Sequence, residues 1–153
     1  MTYQHINPRE QRVLTAVADA FFPPGGPIPL SGSEAGVTAY FDRYIGRSGT
    51  RQAFLMRLLL LFMDLSPVAF GPQRQLFSRL TLEERIAHLR DAFTSRIYFR
   101  RVSFISLRAL MTMAYLADDQ VARHMGMCFD TDPFGVGRPC SRGGTPHPGL
   151  EVA

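Results

Sequence analysis

The sequence contains no lysine: all 17 of its basic residues are arginine. A formal charge of +4 and a pI near 9.6 therefore reflect composition bias as much as selection for an acidic partner. No basic run exceeds the two residues Arg100–Arg101, and the arginines are scattered over every segment. Nucleic-acid binding gathers such charge on one face, so the pattern argues against that class. Only two cysteines occur, Cys128 and Cys140, too few for a disulfide scaffold. They are either two reduced thiols or a bridge formed in an oxidising compartment. Neither CxxC nor the haem-attaching CxxCH is present.

Catalytic signatures are missing as well. There is no G-x-S-x-G elbow, no glycine loop opening a helix onto a phosphate, and no HExxH pair. The four histidines, His5, His88, His124 and His147, have no partner histidine three or four residues away. Glu84 and His88 share a helical face, but one such pair falls short of a di-iron bundle and reads as a surface ion pair. The seven methionines read as core filler. The expectation is a chain with no catalytic, cofactor-binding or metal-binding residues of its own. MTYQHINPREQRVL has neither an apolar signal core nor a twin-arginine pair. As given, this predicts a cytoplasmic location, or a periplasmic one if a leader has been removed or the complex is co-exported.

What is present is helix. Asn7, with Pro8 at the first helical position and Glu10 at the third, forms an N-cap and capping box. It opens a helix whose apolar stripe is Val13, Leu14, Val17, Ala18 and Phe21. Pro23 and Pro24 end it. Ser33 is expected to cap a second helix bearing Val37, Tyr40, Phe41, Tyr44 and Ile45. A third starts at Thr50 and carries Phe54, Leu55, Leu58, Leu59, Leu61, Phe62 and Met63 on more than one face; Pro67 is expected to break it, leaving it too short to cross a bilayer. QRQLFSRL gives one short turn. Thr81 and Glu84 form a second capping box ahead of a stripe of Leu82, Ile86, Leu89 and Phe93. The stretch 96–117 is apolar on most sides, so it is expected to be buried on most sides. Its Arg100, Arg101 and Arg108 exclude a membrane span. Asp118 and Asp119 start a last short helix ended by Gly126. The prediction is all-α: a compact bundle of about five helices around a central helix 96–117. Residues 1–126 form the helical domain, and 127–153 a Gly/Pro-rich tail, extended or wrapped on a partner.

The segments LTAVADAFFPP, SEAGVTAYFDRYI, FSRLTLEERIAHL and FRRVSFISLRALMTMAYLADDQV, ending in HMGM, follow one another in an order that resembles the gluconate 2-dehydrogenase subunit 3 family. The resemblance covers roughly residues 7–127. Its most specific piece is the helix running into Pro23–Pro24, a small-residue loop, and the Ala-Gly-Val start of the second helix. The chain departs from the family in lacking a twin-arginine leader and any tryptophan, and in having Met127 after Gly126. The resemblance implies a small accessory subunit that helps a large partner fold, assemble or be exported. That partner would be a flavoprotein of the glucose–methanol–choline type, holding the FAD and acting on a sugar or alcohol. In some complexes of this kind a multi-haem cytochrome is a third member.

Apolar inventory points the same way. A domain of this size buries only somewhat more than ~60% of its chain surface, and two helices apolar on most sides exceed what one small core can hide. Exposed apolar patches above ~400 Å² are uncommon on monomers. The residues expected to meet a partner are Phe21, Phe22, Pro23, Pro24, Tyr98 and Phe99. Arg100, Arg101 and Arg108 join them as polar contacts, although solvated or internally paired arginines would look the same. Phe129 and Phe134 are expected to carry the tail onto the partner. A stand-alone helical interaction domain with no redox partner is the alternative.

Overall fold

The computed structural model describes residues 3–72 and 74–126. Six α-helices follow in order: α1 (Pro8–Phe21), α2 (Val37–Arg47), α3 (Thr50–Phe70), α4 (Leu82–Thr94), α5 (Tyr98–Leu116) and α6 (Asp119–His124). A 3₁₀ turn at Phe77–Arg79 separates α3 from α4. No strand occurs among the described residues, and the helices pack together as an all-α bundle.

Three helix starts follow directly from local chemistry. The Asn7 side chain accepts from the Glu10 N–H while Glu10 accepts from the Asn7 N–H, and Pro8 occupies the first position. Thr81 and Glu84 repeat the reciprocal box at α4. The Asp118 carboxylate accepts from the amides of Gln120 and Val121 at the head of α6. Each satisfies amides that the first helical turn leaves without partners.

Two boundaries differ from the sequence expectation. Ser33 does not cap α2. Instead Glu34 turns back to accept from the Ser31 amide and hydroxyl, closing a separate turn. Gly36, at φ 67°, then reverses the chain so that α2 begins at Val37. Nor does Pro67 end α3. The helix carries Pro67 buried within it and runs a further turn, closed by the Gly71 N–H donating to the Pro67 carbonyl at 2.8 Å. A single proline forfeits one backbone bond, and here burial of the ring offsets that loss. At 21 residues α3 is about 31 Å long, so the length argument against a span fails.

Helices α1 and α5 share the centre of the bundle, and α5 touches α1, α2, α3, α4 and α6. Helix α1 packs against α2, α3, the 3₁₀ turn, α4 and α5. Its Leu14, Val17 and Ala18 are fully enclosed, and Ala16 and Ala20 are buried beside them. Small side chains on several faces let neighbouring helices approach α1 from several sides. Helix α5, expected to be buried on most sides, is buried on one side only. Phe104, Leu107, Met111, Ala114 and Tyr115 face inward, while Tyr98, Phe99, Val102, Ile105 and Met113 are exposed. In α4, Leu89 and Ala92 are buried, whereas Phe93, expected in the stripe, is exposed.

The loop after α1 is clamped between α1 and α5. Phe22 stacks on Tyr115 with ring centres 3.9 Å apart and planes 3° from parallel. The Tyr115 hydroxyl donates to the Leu30 carbonyl at 2.6 Å, and the Gly32 amide donates to the Phe22 carbonyl at 2.9 Å. A Cβ at Gly32 would lie 2.4 Å from the backbone carbonyl of Ala18. Helix backbone cannot yield as a side-chain tip can. Gly32→Ala is therefore expected to destabilise the fold by about 2–3 kcal/mol, read as a lower urea midpoint; an unchanged midpoint would contradict this close packing.

Candidate partner-binding surface

The most distinctive surface is apolar and belongs to α3 and α5. On α3, Phe54, Leu58, Leu61, Leu65 and Val68 are exposed. Their 4-3-4-3 spacing places them in one stripe. Leu55 flanks it. The inward side of the same helix carries Met56, Leu60, Met63 and Pro67. On α5, Tyr98, Val102, Ile105 and Met113 form a second exposed stripe, with Tyr98 71% accessible. Phe99 stands between the two stripes and meets Phe62 of α3 edge-on, with ring centres 5.2 Å apart. The stripes thus adjoin where the C-terminal half of α3 passes the start of α5. An aromatic side chain can bury about 150–250 Å², so half-exposed residues in this number leave well over the ~300–600 Å² of the largest patch on a typical monomer. Among the described residues, α3 is the one helix long and apolar enough, by length and composition, to cross a membrane.

Charge around this surface is mostly positive, although Glu10 of α1 lines the groove beside Phe54, Leu58 and Leu61. The exposed charged residues of α3 and α5 are Arg51, Arg57, Arg101 and Arg108. Arg57 is held by Glu10 at 3.3 Å and donates to the His5 carbonyl at 2.9 Å. Arg101 lies over the Tyr98 ring, 6.0 Å from its centre. The acidic residue of α3, Asp64, is 1% exposed and faces inward. Its Oδ1 accepts from the Ser78 amide at 3.2 Å and hydroxyl at 2.9 Å, and its Oδ2 from Arg9 at 3.1 Å.

The structure divides the residues expected at an interface. Tyr98, Phe99, Arg101 and Arg108 are exposed, and Tyr98 and Phe99 sit on the apolar surface itself. Phe21 and Phe22 are half-buried in the bundle: Phe21 packs on Phe104 at 5.6 Å, and Phe22 is the ring stacked on Tyr115. Pro23 is half-buried and Pro24 exposed on the loop that follows. Arg100 is not a surface contact. It is 5% exposed, pairs with Asp91 at 2.7 Å and lies 5.0 Å from the centre of the Phe70 ring. Its Nε and Nη2 find no acceptor. Phe129, Phe134, Cys128, Cys140 and the tail 127–153 lie outside the described residues. The α3 stripe was visible as surplus hydrophobicity, but only its 3.5-residue spacing combined with its exposure marks it as a contact surface.

His88 is also placed differently from expectation. It is buried, 7% exposed, with Nε2 3.0 Å from the Ser66 hydroxyl and its ring edge-on to Phe77. Burial foremost, and then the positive charge of Arg100, push its pKa down to about 4, with Asp91 pulling the other way. An unfolded histidine titrates near ~6.5, so between the two values the unfolded chain takes up a proton that the fold refuses. Stability from the neutral ring is whole above pH ~6.5 and is lost as the pH falls towards 4. The expected loss over that window is about 2–3 kcal/mol, and His88→Gln should remove this component. Urea titrations of both proteins at pH 7 and pH 4.5 test this: equal losses would refute it.

Among the described residues no three histidine, cysteine, aspartate or glutamate side chains are grouped so as to hold a metal ion. No protein-family model, curated protein or solved structure matches the chain. Its place is thus given by its own geometry: an all-α bundle with a broad apolar surface on α3 and α5.

Proposed function

We propose that the chain is a non-catalytic small subunit that binds and stabilises a large FAD-dependent glucose–methanol–choline-type dehydrogenase or oxidase acting on a sugar or alcohol. The observation that carries the binding role is the exposed apolar surface of α3 and α5. Leaving so much hydrocarbon in water is costly, and an obligate partner covering more than ~2,000 Å² would remove the cost. The identity of the partner rests on the ordered segments that resemble the gluconate 2-dehydrogenase subunit 3 family. FAD belongs to the large subunit in this reading, and no residue of this chain is assigned to it.

The test is co-expression with the product of the adjacent open reading frame, followed by an absorbance scan of what co-purifies. A stoichiometric complex that carries flavin absorbance is expected, with the large subunit insoluble or inactive when made alone. A tight partner carrying no flavin would leave an interaction domain and remove the redox role. A chain that stays monomeric, soluble and unpartnered at high concentration would remove both.

A further inference from the structure

Beside the α5 stripe, on the side away from Phe99, lies a cleft of about 310 Å³ between the end of α1, α4 and α5. Phe21, Phe93 and Phe104 form its aromatic wall; Phe104 is 5.6 Å from each of the other two rings. Leu89 adds to the floor, and Arg90 and Arg108 line the opening. Both arginines are exposed, and among the described residues neither has a carboxylate within ion-pair distance. No acidic residue lines the cleft. An apolar hollow about the size of a large side chain, guarded by two unpaired guanidinium groups, suits a group with an apolar body and a carboxylate head.

We infer that this cleft is the anchor site for the partner: a segment of the partner chain places a large apolar side chain among Phe21, Phe93 and Phe104 and an adjacent aspartate or glutamate between Arg90 and Arg108. Continuity favours a protein segment over a free ligand. Arg108 is one turn from Phe104 in the cleft and borders Ile105 and Ala109 of the α5 stripe, so one partner surface spans both. The positive rim formed by Arg90, Arg101 and Arg108 also steers an acidic partner toward the apolar area and rejects a basic one. Two copies of this chain would bring arginine against arginine here. This inference rests on the small-subunit reading only in needing a partner; it does not need that partner to hold flavin.

The deciding experiment compares Arg90→Glu/Arg108→Glu with Arg12→Glu/Arg47→Glu, an equal charge change at exposed sites on α1 and α2. Each is co-expressed with the adjacent gene product, with circular dichroism confirming the fold. The cleft variant is expected to weaken the complex at least tenfold and flatten its dependence on salt; the control is expected to do neither. In parallel, sodium octanoate stands in for the apolar side chain and carboxylate, with octyltrimethylammonium as the opposite charge. Octanoate should protect the wild-type chain from unfolding better than the cation does, and the preference should reverse in the cleft variant. Equal complex stability in the two variants overturns the inference, even if octanoate binds, because the cleft would then serve a free carboxylate. A homodimer dissolved by the cleft variant, or binding only to anionic phosphatidylglycerol vesicles, overturns it too. A flavin-free partner lost in the cleft variant alone supports it while removing the flavoprotein reading.

Discussion

Replacing Leu58 and Leu65 together with glutamate is expected to raise the solubility of the isolated chain while abolishing the proposed complex. Both leucines lie on the exposed stripe of α3, Leu58 49% and Leu65 43% accessible. Surface substitutions of this kind usually change stability by less than about 0.5 kcal/mol, and here they replace hydrocarbon that already meets water. In the complex the same positions lose it. Two carboxylates would have to be desolvated against an apolar partner, and central interface residues commonly contribute ~2 kcal/mol or more each. Together that implies at least a ~100-fold loss of affinity. Light scattering of the free chain and pull-down of the co-expressed partner read the two halves separately. A double variant that unfolds would show that the stripe belongs to the core. A soluble variant that still binds its partner at full strength would show that the contact lies elsewhere.

The second large effect is expected inside the bundle. Asp64→Ala removes the acceptor that holds the 3₁₀ turn against α3, leaving the Ser78 amide and hydroxyl and the Arg9 guanidinium without their shared carboxylate. Arg9 is half-exposed and can return to water, so most of the penalty falls on Ser78. Loss of about 3 kcal/mol is expected, enough to lower the melting temperature of a domain this size by roughly 10 °C or more. Asp64→Asn keeps one oxygen for Ser78 and should lose about half as much. Melting temperatures and urea midpoints of the two variants provide the measurement. A fall of less than ~1 kcal/mol in the alanine variant would mean that the turn is held by the burial of Phe77 alone.

The helical class was legible because its signals are local. Asn7 with Glu10 and Thr81 with Glu84 announce helix starts within four residues, and the structure forms both boxes. The arrangement of helices was less legible because it depends on which of several apolar faces wins the interior. Tyr98 to Leu116 has the more hydrophobic composition, yet it leaves one face in water, while α1 buries three alanines and encloses two branched side chains. Arg100 shows the same limit. As a letter it reads as a surface charge; only the meeting of α4 and α5 reveals Asp91 at 2.7 Å and turns it inward. Pro67 reads as a helix end because its local penalty is certain, whereas the compensating burial is a tertiary fact.

Enclosing Leu14 and Val17 of α1 has a consequence for how the chain emerges from a ribosome. Helix α1 precedes the other helices, but the Tyr115 side chain that closes over its end is more than 90 residues further on. At synthesis rates of ~5–20 residues per second, Leu14 and Val17 wait on the order of 5–20 s before their last neighbours arrive. During that interval the nascent polypeptide carries hydrocarbon on both its future interior and its future contact surface. A large subunit or holdase present at the tunnel exit would meet it then, before the bundle has closed.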